Sequence, residues 1–221
     1  MQTPIRAILF DFNGTLSDDE PVLYSIYAEL FAEQGKPLSP SDYADRLAGH
    51  SDEGIVARWL GASHSRIDEL VARRVALYRE RVADGSSIGA TVRAAVHAAA
   101  ERVPVGVVSG AARAEIEPVI RAAGLAGAIS FVVAAGDVAR GKPDPEGYLR
   151  ALELIGRGVQ AHQVLVFEDT EAGLEAAKGA GMRVVGITRT LGAGRMARAD
   201  ALAESIDLEL VRRLLDEADR P

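Results

Sequence analysis

A short apolar run near the start of the chain ends at an acidic residue. Residues 8–10 are all apolar, as expected for a parallel strand that is buried on both faces. Asp11 follows directly, so its carboxylate is expected at the carboxyl end of that strand, the edge at which open α/β sheets bind ligands. Residues 13–15 then predict a turn whose backbone amides can approach an anion closely.

From residue 17 to residue 86 the apolar residues recur every three or four positions, which is typical of amphipathic helices. Acidic residues 18–20 followed by Pro21 predict one helix N-terminus. Ser39 predicts the next one. The segment contains no strand pattern, so we predict an all-helical insertion of four helices.

After residue 86 the pattern changes to short apolar runs separated by helical segments. The predicted strands are residues 104–108, 131–133, 164–167 and 183–187. Strands that alternate with helices favour an α/β fold, a Rossmann-like, doubly wound parallel sheet. We therefore predict a core of residues 1–16 and 87–221, and a small helical domain of residues 17–86 inserted after the first strand.

Composition narrows the class of protein. The net charge of −7 disfavours a nucleic-acid partner, which would need a basic surface. The chain of 221 residues has no cysteine, which excludes disulfides, thiolate metal sites and a cysteine nucleophile. No charged-then-apolar leader or membrane-length apolar run is present. We expect a cytoplasmic monomer or homodimer with no membrane partner.

Polar residues follow three more predicted strands: Ser109, Lys142 and the pair Glu168 and Asp169. Because the carboxyl ends of parallel strands share one edge of the sheet, we expect these side chains to lie near Asp11. Only three of the 25 basic residues are lysines, so Lys142 is expected to do something that arginine cannot. The edge would then combine a hydroxyl, a cation and three carboxylates.

The four segments resemble, in order, the four motifs of the haloacid dehalogenase superfamily, most of whose members are phosphatases. The motifs read DFNGT at 11–15, VSG at 108–110, GKPDP at 141–145 and VFEDTEAG at 166–173. The helical insertion after the first motif matches the subclass whose cap domain lies between the first two motifs. The fourth motif is most similar to the branch of β-phosphoglucomutase and small sugar-phosphate phosphatases.

The resemblance implies a mechanism for phosphate monoesters, whose negative charge must be neutralised. Asp11 would attack phosphorus and form an aspartyl-phosphate that water later hydrolyses. Mg²⁺ would be held by the carboxylates of Asp11 and Asp169 and the backbone carbonyl of Asn13, with Glu168 acting through a metal-bound water. Lys142 would bridge Asp11 and the phosphate.

The resemblance also implies contacts to the substrate, a small phosphorylated metabolite. Ser109 and the amides around two glycines would donate hydrogen bonds to phosphate oxygens. His50, in a predicted cap loop, either faces the substrate or is exposed, and Arg113 is either a rim residue or a helix surface charge. The candidate substrate-binding residues are Gly14, Thr15, Gly110, His50 and Arg113.

Asn13 departs from the family pattern. The family's phosphatases and mutases carry an aspartate there, which protonates the leaving group and then deprotonates the attacking water. An amide can do neither, although the metal site should survive, because only the backbone carbonyl of residue 13 contributes to it. Turnover is therefore in doubt, while the fold and phosphate binding are not.

The main expectation is a magnesium-dependent phosphatase with reduced activity, and three alternatives stay open. The first is a β-phosphoglucomutase-type isomerase, against which Asn13 argues, because a mutase uses that acid/base in both half-reactions. The second is carbon–phosphorus or carbon–halogen cleavage. A phosphonate-cleaving relative would need a Schiff-base lysine in the cap, where Lys36 is the only lysine. The third is a catalytically silent phosphate-binding module.

Overall fold

The computed structural model describes residues 4–156 and 158–218. Among them, six strands form one sheet in which every neighbouring pair is parallel. The strands are β1 (Ala7–Phe10), β2 (Val105–Val108), β3 (Phe131–Val133), β4 (Val164–Glu168), β5 (Arg183–Ile187) and β6 (Ala201–Ala203). Their order across the sheet is β3-β2-β1-β4-β5-β6, which places β1 and β4 side by side at its centre.

Ten α-helices lie in the described residues. They are α1 (Glu20–Glu33), α2 (Pro40–Arg46), α3 (Asp52–Leu60), α4 (Ile67–Arg81), α5 (Ala90–Ala100), α6 (Arg113–Ala122), α7 (Glu146–Ile155), α8 (Glu171–Gly179), α9 (Gly192–Arg195) and α10 (Leu208–Ala218). The first four lie between β1 and α5, and residues 17–86, all of them described, contain no named strand. None of the helices in the described part of the chain is long and apolar enough to cross a membrane.

The central strands are buried on both faces. Every residue of β1, β2 and β4 is buried, which explains their continuous apolar sequence. Side chains alternate between two hydrophobic clusters: Ile8 and Phe10 enter one, whereas Ala7 and Leu9 enter the other. Phe10 stacks on Phe167 of the neighbouring strand, with ring centroids 5.0 Å apart. This packing fixes the carboxyl ends of β1 and β4 next to each other.

The predicted α/β fold with an inserted helical domain is confirmed. The predicted start of the second helix is also found, because the Ser39 side chain accepts a hydrogen bond from the Asp42 amide at 3.1 Å. Two elements were missed: β6 and α9. Strand β6 is an edge strand whose residues are exposed or half-buried, so its sequence lacks the apolar run that marks a buried strand. Helix α9 has only four residues, too few for a periodic pattern.

The chain passes twice between the sheet and the helical segment, and the two passages contact each other. The backbone N–H of Asp18 donates to the carbonyl of Ser87 at 2.8 Å. Farther out, the guanidinium of Arg74 on α4 pairs with the carboxylate of Glu115 on α6, and both side chains are buried. These contacts hold α1–α4, called the cap below, beside the carboxyl edge of the sheet. The domain boundaries at residues 17 and 86 stay a prediction.

Alanine substitutions at Gly35 and Gly85 distinguish backbone strain from a steric clash as causes of lost stability. Both have a left-handed backbone, with φ of +71° and +73°, but only at Gly85 would a Cβ meet backbone atoms, 2.6 Å from the Ala123 nitrogen. Gly35→Ala should lower the free energy of unfolding by about 1–2 kcal/mol through strain alone. Gly85→Ala should lower it by about 1–3 kcal/mol more, because α6 must also shift. Urea unfolding measures both, and equal losses would contradict the assigned contact.

Candidate active site

Three carboxylates meet at the carboxyl edge of the sheet. Asp11 follows β1, Glu168 ends β4 and Asp169 comes next, and each can place one oxygen within 4.8 Å of the others. The exposed fractions of these residues are 7%, 0% and 0%. The adjacency of β1 and β4 thus brings together the three residues that the sequence predicted as metal ligands.

Lys142 supplies a cation to this cluster. Its ammonium donates to the carboxylates of Asp11 and Glu168, and to the carbonyl of Val108 at 3.1 Å. Burial by itself would lower the pKa of Lys142, but the two carboxylates raise it above its ordinary value. The lysine is therefore charged and lies where the sequence predicted it, beside Asp11.

The carboxylates outnumber this single cation. Burial raises the pKa of Asp11 to about 7. The charge of Lys142 opposes this rise, and the charge of Glu168 adds to it. Burial and the charges of Asp11 and Glu168 also raise the pKa of Asp169 well above its ordinary value. The cluster is thus short of positive charge, which is the condition that a divalent cation relieves.

The donor set fits a metal ion such as Mg²⁺. Oδ2 of Asp169 is buried and has no hydrogen-bond partner among the described residues. The hydroxyl of Thr190 lowers the pKa of this carboxyl in part, but forms no hydrogen bond of normal geometry with Oδ2. Oxygen ligands from carboxylates are those that Mg²⁺ prefers. Asp11 and Asp169 are the residues best placed to hold it.

Gly14 and Thr15 each donate a hydrogen bond to a carboxylate. The Gly14 amide donates to Oδ1 of Asp19 at 3.1 Å, so it is not available to a phosphate oxygen. The Thr15 hydroxyl donates to Oδ1 of Asp169 at 2.9 Å. A Cβ at Gly14, where φ is +73°, would lie 2.0 Å from Oδ2 of Asp169. The Gly14 amide and the Thr15 hydroxyl are thus directed at carboxylates, and a role of these two residues in substrate binding stays a prediction.

Glu168 is held by a ring of donors. The hydroxyl of Tyr148 donates to Oε1 at 2.8 Å, and the hydroxyl of Thr170 donates to Oε2 at 3.1 Å. A Cβ at Gly173 would lie 1.8 Å from Oε1, so only glycine leaves room for this carboxylate. Sequence reasoning missed Tyr148, because a buried aromatic on an amphipathic helix has the pattern of a core residue.

The cluster opens into a cavity of about 390 Å³ between the sheet edge and the cap. Ser109, Gly110 and His50 all line it. His50 is also exposed, so both interpretations that the sequence left open describe it. The Ser109 hydroxyl accepts a hydrogen bond from the Ala111 amide at 3.1 Å, which leaves its proton free to point into the cavity. Burial, with the charges of two arginines, lowers the pKa of His50. Its uncharged form is therefore favoured at neutral pH.

Arg113 lies outside this cavity. It lines a separate cleft beside the edge strand β3, where it pairs with Asp137 at 2.5 Å and Glu117 at 2.9 Å. Its guanidinium also donates to the carbonyl of Val132 at 3.0 Å. Of the two interpretations left open by the sequence, the surface charge applies, and we do not retain Arg113 as a substrate-binding residue.

Asn13 is bound by residues from the start of the cap and from α4. Its side-chain amide donates to Oδ2 of Asp19 at 2.8 Å and to the hydroxyl of Tyr78 at 3.2 Å. Tyr78 also donates to Asp19, whose pKa is raised by burial. An amide suits this position because it can donate to a carboxylate. The sequence did not reveal this contact, because residues 18–20 were interpreted only as the start of a helix.

The chain belongs to a family of hydrolases: a family model for haloacid dehalogenase-like hydrolases matches residues 5–181. The resemblance inferred from the four motifs is therefore confirmed. The match covers β1, the cap and the strands that carry all four motifs.

Relatives and solved structures agree with this membership. The chain is 35% identical to a validoxylamine A 7'-phosphate phosphatase from Streptomyces hygroscopicus subsp. limoneus, over 91% of this chain and 94% of the relative. It is 30% identical to a phosphorylated carbohydrates phosphatase from Thermotoga maritima, over 90% and 93%. A mutant of CbbY from Rhodobacter sphaeroides, solved with xylulose-(1,5)bisphosphate, matches with TM-score 0.80 and 26% identity, over 93% and 96%. The predicted enzyme class, a phosphoric monoester hydrolase, agrees with both named phosphatases.

The metal site predicts a stability change. Mg²⁺ at about one hundred times its Kd should raise the free energy of unfolding by about 2.7 kcal/mol. Asp169→Asn should remove most of that gain. The same change should not destabilise the metal-free protein, because it removes one of three mutually repelling carboxylates. Thermal unfolding with and without Mg²⁺ measures both effects.

Asp216→Asn is the matched control, since Asp216 is an exposed carboxylate paired with Arg102, far along the chain on α10. That variant should keep the full gain. A melting temperature of the unmodified protein that does not respond to millimolar Mg²⁺ would contradict the metal site.

Proposed function

We propose that this protein is a Mg²⁺-dependent phosphatase that hydrolyses a small phosphorylated carbohydrate through an aspartyl-phosphate on Asp11. The observation that supports it best is the cluster of Asp11, Lys142 and Asp169 beside the cavity that lies between the sheet edge and the cap. One face of Asp11 is held by the lysine, and the neighbouring Asp169 retains an unpartnered oxygen for a cation.

Each residue has a role in the proposed first half-reaction. Bound Mg²⁺ would supply the positive charge that lets an anionic carboxylate approach an anionic phosphate. An oxygen of Asp11 attacks phosphorus as the bond between phosphorus and the leaving oxygen breaks. An alkoxide leaving group then takes its proton from water, because Asn13 cannot donate one as an acid. Lys142 holds Asp11 in place and neutralises the phosphate oxygens, and the Ser109 hydroxyl donates to one of them. Tyr148 and Glu168 orient Lys142.

In the second half-reaction, water attacks the aspartyl-phosphate and releases phosphate. In other members of the family, an aspartate at this position would remove a proton from that water. This chain has Asn13 there, and an amide cannot act as a base. Moreover, its amide is engaged with Asp19. For a leaving group that departs without a proton, such as nitrophenolate, we therefore propose that the second half-reaction is slower than the first, and that the phosphoenzyme persists.

A carbohydrate substrate is supported by the cavity and by the relatives. The cavity of about 390 Å³ has room for a small metabolite and is covered by the cap, which excludes large substrates. The Thermotoga maritima relative is named for phosphorylated carbohydrates, and the CbbY structure holds a sugar bisphosphate. A phosphorylated-metabolite panel with Mg²⁺, read out as phosphate release, tests the proposal directly.

Of the predicted alternatives, a catalytically weak phosphate-binding protein is the one with an observation in its favour, namely the engaged amide of Asn13. The phosphonate-cleaving alternative has an observation against it. The ammonium of Lys36 donates to the carbonyl of Trp59 and lies 5.1 Å from the centre of its ring, and Lys36 does not line the cavity. The mutase alternative is tested by interconversion of sugar phosphates without net phosphate release.

Asp11→Asn tests the nucleophile. The variant should take up no phosphate covalently from p-nitrophenyl phosphate, since an amide oxygen is a poor nucleophile, while it keeps an oxygen that can accept from Lys142. Mass spectrometry of the intact protein detects the added phosphate. Asp144→Asn, which changes a cavity-lining carboxylate within the third motif, is the matched control and should still be phosphorylated. Covalent phosphate on the Asp11→Asn protein would contradict the assignment.

Asn13→Asp tests the acid/base position. A positioned proton-transfer group contributes about 10²–10⁴-fold, so steady-state turnover should rise within that range and the phosphoenzyme lifetime should fall. The new carboxylate would face Asp19 where an amide now donates, so stability should fall as well. Fresh protein is required, because Asn13-Gly14 is prone to deamidation.

A double variant separates the two effects. Asn13→Asp with Asp19→Asn reverses the direction of the hydrogen bond, and should recover stability while it keeps the gain in turnover. Asn13→Ala is the control and should give no gain. Unchanged turnover in both aspartate-13 proteins would show that another group transfers the proton.

A further inference from the structure

The cavity has two halves of different character. Its core half holds the phosphate machinery of Asp11, Ser109 and Lys142. Its cap half, where the leaving group of a substrate would lie, is lined by charged and hydroxyl-bearing side chains. These are Glu20, Tyr27, Tyr43, His50, Asp52, Glu53 and Arg74. The charge of this second half determines which leaving groups it can accept.

The cation of the cap half is already neutralised. Arg74, only 4% exposed, donates to the carboxylates of Asp52 and Glu115, so two negative charges surround one positive charge. Asp52 additionally accepts from the Tyr27 hydroxyl at 2.6 Å. The Nε–H of Arg74 has no partner among the described residues, although it is buried. Arg74 thus has no spare charge for a second anion.

Glu20, in contrast, is a carboxylate that has no cationic partner among the described residues. It begins α1, accepts a hydrogen bond from the Tyr43 hydroxyl at 3.0 Å, and forms no ion pair with the described residues. Burial, and after it the charge of Asp19, raises the pKa of Glu20 to about 7. The hydrogen bond from Tyr43 opposes this rise, and the charge of Asp18 adds to it. His50 offers no compensating charge, since its uncharged form is favoured. The rim cation Arg140 is paired with Asp144 at 3.2 Å.

We propose that the cap half selects a monophosphate whose leaving group is an uncharged or amine-bearing polyol, and rejects one that carries a second anionic group. This rests on the proposed function and names its substrate class. Glu20, which lines the cap half, accepts hydrogen bonds from a hydroxyl or an ammonium group of the leaving group. A second phosphate or a carboxylate would meet Glu20, Asp52 and Glu53. The described lysine and arginines that line the cavity, Arg74, Arg140 and Lys142, are all paired with carboxylates already.

A binding series on the Asp11→Asn protein with Mg²⁺ tests this, since that variant should bind esters without being phosphorylated. The ligands are glucosamine 6-phosphate, glucose 6-phosphate, 6-phosphogluconate and glucose 1,6-bisphosphate, titrated by calorimetry. The first two should bind at least about tenfold more tightly than the last two, the effect of one unfavourable charge contact. Equal or tighter binding of the two doubly anionic esters would overturn the inference.

Glu20→Gln, made in the same background, tests the residue. It keeps an oxygen for Tyr43 but removes the charge, so the preference against 6-phosphogluconate should shrink several-fold. Glu29→Gln is the matched control: Glu29 lies on the same helix, pairs with Arg81 on the surface and does not line the cavity. An unchanged preference in Glu20→Gln would remove Glu20 from the inference.

Orthovanadate separates the two proposals. If it fails to bind the Mg²⁺-loaded unmodified protein, and no ester binds the variant, the proposed function fails and the inference fails with it. If orthovanadate binds and the esters bind without regard to charge, only the substrate class is overturned.

Discussion

The structure of this protein depends on an excess of negative charge among buried side chains. Asp11, Glu168 and Asp169 are buried within reach of one another, and Lys142 is the ammonium that contacts the first two. Such a cluster persists only if every element around it is fixed. The stacked rings of β1 and β4, the hydroxyl of Tyr148 and the close approach at Gly173 all serve that purpose.

The sequence predicted the sheet and its functional edge well, for a physical reason. Strands buried on both faces must be continuously apolar, so the polar residue after each strand is easily recognised. Parallel strands share one functional edge, so Asp11, Lys142 and Glu168 could be brought together without knowing the strand order. Elements that bury little surface carry no such signal, which is why β6 and α9 were missed.

The contacts that a residue makes were harder to predict than the element on which it lies. Gly14 and Thr15 belong to the phosphate motif, yet the donors of both point to carboxylates, because the turn closes on Asp19 and Asp169. Arg113 follows a motif by only a few residues, but the first turn of α6 directs it to Asp137. Spacing along a chain places a residue on an element, whereas the direction of its side chain depends on partners distant in sequence.

The pair of Arg74 and Glu115 also affects the rate at which ligands enter the site. The guanidinium belongs to a cap helix and the carboxylate to a core helix, and neither is reached by solvent to any extent. Any movement that parts α4 from α6 must separate these charges, and removing one partner from a buried ion pair is strongly unfavourable. If ligand entry requires this movement, association is governed by how often the pair separates, and its rate would level off as ligand concentration rises instead of increasing in proportion.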